Sequence, residues 1–349
     1  MGNLWQRLFR SQKPVAGRVR PMATGPVRAS ARIPDDDVVV EPDFPLTEIE
    51  DRFHRFVLDL PPSEAGEPSA AEQAMLKRLD LLSTRFDMRS LPRLPSVLPQ
   101  LLRTLKNDNA AGGQLAKLVG RDPLMVGEVM RVTSSSYYRS AQPISSLQQA
   151  VVLLGQDGLR RVLTQYVMKP ILQANAGSFG QAAGERLWDH AERCSHACAW
   201  LARHNGGDTF EAYLVGTICH TGTGAVVRLL DQLAQDSALT SPSTEFIASC
   251  GALAARLSLQ AAQHWELPAR VVEAMADRQP GKTVATSSPL GKTLAAADGL
   301  AMAQLLGEHE RLDRDVDLSH SWPDAFAPAL LARCQQDLRR HFPAAEKSI

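Results

Sequence analysis

The sequence predicts an all-α protein, a multi-helical fold of two helical lobes preceded by a disordered N-terminal tail. Three observations carry that prediction. Ala and Leu are abundant while aromatic residues make up 5% of the chain, a balance that favours helices over sheets. From Ala70 onward, apolar residues recur three and four positions apart in one segment after another. No segment alternates apolar and polar residues as a half-buried strand would, and no repeat of fixed period is evident.

Residues 1–32 carry basic side chains and no acids, and the sign then reverses through Asp35, Asp36, Asp37, Glu41, Asp43, Glu48, Glu50 and Asp51. Six prolines between Pro14 and Pro45 break any helix there, so about the first 45 residues are expected to be disordered. Ile49, Phe53, Phe56, Val57 and Leu60 follow helical spacing, with Thr47 and Glu50 as an expected capping box. Residues 61–69 read as a linker.

Leu98, Leu101, Leu102 and Leu105 form one apolar stripe, and Leu115, Leu118 and Val119 a second. Asp122-Pro123 marks a helix start, an N-cap carboxylate followed by proline in the first turn. The helix from Leu147 is expected to stop at Gly155 and resume at Leu159. A Gly/Ser/Ala-rich break at 175–184 divides the helical region. Helical patterns then run 187–204, 210–220, 225–233, 246–264, 268–277, 290–306 and 328–342. The expected organisation is a basic-then-acidic region with a short helix and linker at 1–69 and a helical domain at 70–306. Its lobes lie at about 70–175 and 185–306, and a helical extension follows at 307–349.

Composition narrows the function classes. Lys plus Arg and Asp plus Glu are 38 each, so the whole chain carries no electrostatic signature of nucleic-acid binding. No apolar run reaches the length of a bilayer span, and the N-terminus lacks a secretory h-region. Five cysteines scattered through apolar segments suit a reducing compartment. The Gly281-Lys282-Thr283 and Gly291-Lys292-Thr293 tripeptides look like phosphate-loop ends, but Ala276 and Thr286 stand where that loop needs glycine. Cys194 and Cys198 share one helix face with His190 and read as small buried residues rather than a zinc site.

Leu91-Pro92-Arg93-Leu94-Pro95, Arg121-Asp122-Pro123-Leu124, Ser134 to Tyr138, Ile144 to Leu147, and Ala150 to Gly155 follow one another in a pattern that resembles the HDOD family. Leu187-Trp188-Asp189-His190 and Trp265-Glu266-Leu267-Pro268 extend the resemblance, which covers residues 90–279. It implies an all-helical bacterial signalling domain related to HD phosphohydrolases and usually lacking a complete metal site. The chain departs from the family pattern at Ser134-Ser135, where Asn-Ser is common. The His-Asp position holds His220-Thr221.

By the same resemblance, His190, His220, Thr221 and Asp298 stand at the positions of a vestigial metal site, with Asp277-Arg278 where an auxiliary histidine belongs. A neutral threonine hydroxyl is a poor ligand for a hard divalent cation. The expectation is therefore no catalytic residue, no metal and no cofactor. The expected function is a non-enzymatic signal-transduction or scaffold protein that acts on partner signalling proteins, gated by a small ligand. The competing classes are a metal-dependent HD-type phosphohydrolase or cyclic-dinucleotide phosphodiesterase, and a nucleic-acid-binding regulator. Ser134, Tyr137, Tyr138 and Arg139 are the candidate interaction residues, since Tyr and Arg are enriched in binding hot spots. The expected location is the cytoplasm. Leu4, Trp5, Leu8 and Phe9 form a candidate peripheral contact at the inner membrane, on one side of a short basic helix.

Overall fold

The computed structural model describes residues 44–62, 66–84, 116–117, 119–120, 122–134, 144, 146–173, 180–234 and 241–343. Among them the protein is helical, with no strand. The expected N-terminal tail, its membrane-contact residues Leu4, Trp5, Leu8 and Phe9, and the stripe at Leu98 to Leu105 lie outside the described residues. So do Tyr137, Tyr138 and Arg139. No helix among the described residues is long and apolar enough to cross a membrane.

Helix α1 spans Leu46–Val57 and α2 spans Ala70–Thr84. They are followed by α3 (Pro123–Thr133), α4 (Leu147–Gln173), α5 (Gly180–Asn205) and α6 (Thr209–Ile218). The chain continues through α7 (Thr221–Ala234), α8 (Thr244–His264) and α9 (Ala269–Ala276). A 3-10 turn at Val284–Thr286 leads to α10 (Pro289–Glu308) and α11 (Pro328–His341).

Local chemistry explains several boundaries. Asp122 caps α3 as expected, its carboxylate accepting from the Leu124 and Met125 amides. Asp208 does the same for α6 through Phe210 and Glu211. Gly155 interrupts α4 with φ 63° and ψ −177°, a backbone conformation that glycine adopts without steric cost, so the expected break lies there. The expected break at 175–184 is shorter than its composition suggests, because α5 already begins at Gly180. Buried Ala183 and Leu187 pack the first turns of α5 into the core, and tertiary contact overrides the weak local propensity.

The expected capping box at Thr47 and Glu50 is not formed. Pro45 is the N-cap of α1 with no side-chain cap, which places Thr47 inside the first turn. The box forms instead one helix later. Ser69 Oγ accepts from the Glu72 amide at 3.3 Å, and Glu72 Oε2 accepts from the Ser69 amide at 2.6 Å. The other Glu72 oxygen accepts from the amide of Ser243, the N-cap of α8, at 2.6 Å. One carboxylate thus satisfies amides at the starts of two helices.

Helix α5 is the central element, packed against α6, α10, α4, α7 and α11. Helix α1, from the stretch assigned by sequence to the N-terminal region, belongs to the same core. Ile49, Phe53 and Val57 are at most 1% exposed, and the helix packs on α10, α8 and α5.

Burial opposes ionisation of Glu72, but the Ser243 and Ser69 amides outweigh it and lower the carboxyl below its ordinary value of 4.5. A depressed carboxyl contributes stability that is present above its unfolded value and is lost as pH falls through the folded one. Glu72→Gln should therefore cost about 2 kcal/mol in urea unfolding at neutral pH. The difference from wild type should shrink as pH drops below about 4.5. A difference independent of pH would assign the effect to packing.

Candidate functional site

Four elements deliver the residues expected at the vestigial metal site. His190 lies on α5, His220 in the turn between α6 and α7, Thr221 at the first position of α7, and Asp298 on α10. The α6–α7 turn is held against α8 by a close backbone approach at Gly222. Its amide donates to Ser258 Oγ at 2.8 Å, and a Cβ there would lie 2.0 Å from the Ala254 carbonyl oxygen. A glycine is the residue that fits.

The structure brings His190, His220 and Asp298 together. His220 Nε2 lies 3.0 Å and His190 Nε2 3.1 Å from the same oxygen, Oδ1 of Asp298. The imidazole centroids are 4.7 Å apart. Burial drives the His220 pKa down to about 3 against the pull of Asp298, so its ring is neutral. A neutral ring has one N–H; placed on Nε2 it is donated to Asp298, with Arg278 Nη2 3.4 Å from the same nitrogen. Nδ1 then accepts from the Thr223 hydroxyl at 3.0 Å. His190 Nε2 lies off the line that a hydrogen bond to Asp298 needs. Among the described residues neither of its ring nitrogens has a hydrogen-bond partner.

Thr221 is adjacent but turned away. Its hydroxyl donates to the Ile218 carbonyl at 2.8 Å, closing the last turn of α6. The other Asp298 oxygen is met by Arg278 Nη1 at 2.8 Å. Burial alone would raise the Asp298 carboxyl, but Arg278 and then His220 hold it well below the usual carboxylate range. Arg278 thus places a permanent protein cation against the one carboxylate of the expected set.

Sequence reasoning missed four further contributors. Cys219 places its Sγ 4.0 Å from Asp298 Oδ1 and 3.9 Å from Cys194 Sγ, and burial raises both thiols well above their ordinary range. The sequence signal was present, because Cys219 immediately precedes His220. Phe53 on α1 covers the pair of imidazoles, its ring centroid 4.7 Å from His190 and 5.1 Å from His220. Glu50 and His54, on the same helix, line a cavity of about 530 Å³ that also reaches His220, Arg278, Asp298 and Trp322. Enclosure and then the Asp298 charge raise the Glu50 carboxyl, and burial lowers the His54 pKa. No local pattern in residues 46–57 distinguishes a helix that covers a site from an ordinary amphipathic one.

The donor set does not fit a hard catalytic cation such as magnesium or manganese. Such an ion prefers several oxygen ligands and retained waters. Here a single carboxylate is shared with Arg278, Thr221 Oγ1 is committed to the backbone, and Phe53 fills the space over the imidazoles.

Comparison with known proteins agrees with this architecture. The HDOD domain family matches residues 91–280, more than half of the chain. The chain belongs to the HDOD family. An uncharacterised protein of Treponema pallidum (strain Nichols) is 23% identical over 199 residues, 55% of this chain and 37% of that relative's length. The chain thus spans well under half of the curated relative that it matches. A candidate signal transduction protein from Marinobacter aquaeolei VT8 superposes with a TM-score of 0.54 at 19% identity, over 88% of this HDOD protein and 66% of that chain. A candidate phosphohydrolase from Shewanella amazonensis SB2B gives 0.51 at 20% identity, over 76% and 93%. At these identities the two structures establish a shared fold. Asp298 and Phe53 lie outside the family-matching span, on either side of it.

Phe53 is fully buried where α1 meets both imidazoles. Phe53→Ala should lower unfolding stability by about 3–5 kcal/mol. Phe53→Leu should lose a minor part of that. A small loss in both variants would show that α1 is not part of the site's cover.

Proposed function

We propose that this HDOD protein is a non-enzymatic bacterial signal-transduction or scaffold protein. It works through protein–protein contact, and a small ligand in the cavity beside Arg278 gates it. The observation that carries the reading is the use of Asp298, the one carboxylate among His190, His220, Thr221 and Asp298. One oxygen lies 3.0 Å from His220 and 3.1 Å from His190, and the other lies 2.8 Å from Arg278. Hydrolysis by a hard metal centre needs an ion with an open position for water, and a carboxylate-rich set to hold it. Thr221 supplies no charge, and its hydroxyl is bonded to Ile218.

The cavity supports the ligand part of the reading. Its volume of about 530 Å³ suits a small molecule, and it pairs an apolar wall at Trp322 and Met302 with polar groups at Glu50, His54 and Arg278. The signal-transduction description of the Marinobacter aquaeolei VT8 neighbour is consistent with the same role. We assign the protein to the cytoplasm, with the basic N-terminal segment around Leu4, Trp5, Leu8 and Phe9 as a peripheral contact at the inner membrane.

The full-length protein should show no turnover of phosphomonoesters or cyclic dinucleotides above buffer with added magnesium, manganese or iron. Metal-dependent turnover that disappears in His220→Ala protein would overturn the reading. The interaction role is tested separately. Tyr138→Ala and Arg139→Ala should each weaken capture of partner proteins about tenfold or more with little change in Tm, as truncated hot-spot residues do. Unchanged capture by both variants would remove the Ser134 to Arg139 segment as the contact.

A further inference from the structure

We propose that His190, Cys219, His220 and Asp298 hold one borderline-soft divalent ion of the zinc class, as a closed structural site that uses a cysteine thiolate in place of the carboxylate absent at Thr221. The inference rests on the reading that this centre does not turn over substrate. It replaces the expectation of no metal that the four sequence positions suggest when Cys219 is left out.

The first observation is convergence. One donor atom from each of the four residues lies within 4.8 Å of every other, and all four residues are buried. Two bonds of about 2.0–2.1 Å at a tetrahedral ion place their donor atoms roughly 3.3–3.4 Å apart. The His–Asp separations are 3.0 and 3.1 Å, and the Cys219 Sγ to Asp298 Oδ1 separation is 4.0 Å. Side-chain adjustments on the order of an ångström would bring separations of up to 4.8 Å into a four-coordinate shell.

The second observation is an unpartnered group aimed into the cluster. His190 is 0% exposed, yet neither ring nitrogen makes a hydrogen bond among the described residues. An unsatisfied buried polar group costs about 1–3 kcal/mol. His190 Nε2 lies 3.1 Å from Asp298 Oδ1 without the alignment of a hydrogen bond. An ion bound beside both atoms would give each of them a partner.

The donor chemistry selects the metal class. Two imidazoles, one thiolate and one carboxylate suit zinc, and disfavour magnesium and calcium, which require oxygen shells. The charges also close. A divalent ion and Arg278 bring three positive charges, while the Cys219 thiolate, Asp298 and Glu50 bring three negative ones. Arg278 then acts on the ion through Asp298, holding the non-ligating oxygen at 2.8 Å as an outer partner orients a ligand. Binding requires two proton movements. The Cys219 thiol releases its proton to solvent. The His220 proton moves from Nε2 to Nδ1, where the Thr223 hydroxyl at 3.0 Å becomes the acceptor.

Closure follows from the surroundings. Four protein donors fill the four positions of the ion and leave none for a reacting water, and Phe53 covers the imidazole side. The ion would tie α5, the α6–α7 turn and α10 together beneath α1.

The test uses the full-length wild-type protein, expressed with added zinc and purified without chelator or affinity metal. Elemental analysis should give about one zinc per chain. Cobalt-substituted protein should show thiolate-to-cobalt charge-transfer absorption, and a strong chelator should lower the wild-type Tm. Cys219→Ser and His190→Ala should reduce metal content by about tenfold or more, and Cys219→Ser should abolish the charge-transfer band. Cys334→Ser, a buried cysteine on α11, should retain both. If Cys219→Ser fails to fold, the wild-type cobalt spectrum and the chelator response decide. Wild-type protein with no stoichiometric metal and no thiolate band would overturn the site while leaving the non-catalytic reading intact. Stoichiometric zinc with phosphoester turnover would uphold the ligand set but overturn both its closure and that reading.

Discussion

The buried carboxylate of Asp298 is the constraint on which the arrangement of the helices depends. A charge removed from water costs several kcal/mol unless it is paired with good geometry. Asp298 is 7% exposed, and the groups gathered around it come from separate parts of the chain. His190 arrives on α5, His220 in the α6–α7 turn and Arg278 just after α9. The packing of α5 on α10, and the glycine that seats the α6–α7 turn on α8, are the structural means by which these groups reach one carboxylate.

On the non-catalytic reading proposed above, the same arrangement is what would set this HDOD protein apart from a hydrolytic relative. A threonine at the first position of α7 could still have faced inward as a weak ligand. Its hydroxyl instead bonds the Ile218 carbonyl, an ordinary use of a short polar side chain beside a helix end. Arg278 meanwhile fixes charge on the carboxylate from the cavity side. The polar groups at these positions link α5, the α6–α7 turn, α10 and the residues after α9.

The span that matches the family does not contain the whole site. Residues 91–280 include His190, Cys219, His220 and Arg278, whereas Asp298 follows that span and Phe53 precedes it. Helix α1 is also anchored by polar contacts. Arg55 donates to the Pro242 carbonyl at 2.9 Å, and Arg186 donates to the Phe56 carbonyl and to Asp59 just past the helix. These bonds and the burial of Ile49, Phe53 and Phe56 make α1 a fixed wall of the cavity rather than a loosely held strap.

The helical class, most helix positions and the Asp122 cap were legible because they depend on local periodicity and on the chemistry of a few adjacent residues. So was the Gly155 break, where a single left-handed residue decides the backbone. The capping box was misplaced because two segments carried a suitable pattern, Thr47 with Glu50 and Ser69 with Glu72. Only the second meets an amide from another helix, that of Ser243. His190, His220 and Asp298 were nameable from the family resemblance, but their convergence on one oxygen was not. Contacts between residues 78 and 108 positions apart leave no local trace in a single sequence. The place of Cys219 in the cluster, the pairing of Arg278 with Asp298 and the cover provided by Phe53 belong to the same class. Local sequence determined which segments are helices and which chemical groups are available. The tertiary packing of α1, α5, α6, α7 and α10 decided which of those groups share one buried site, because burial and pairing are properties of neighbours brought together by folding.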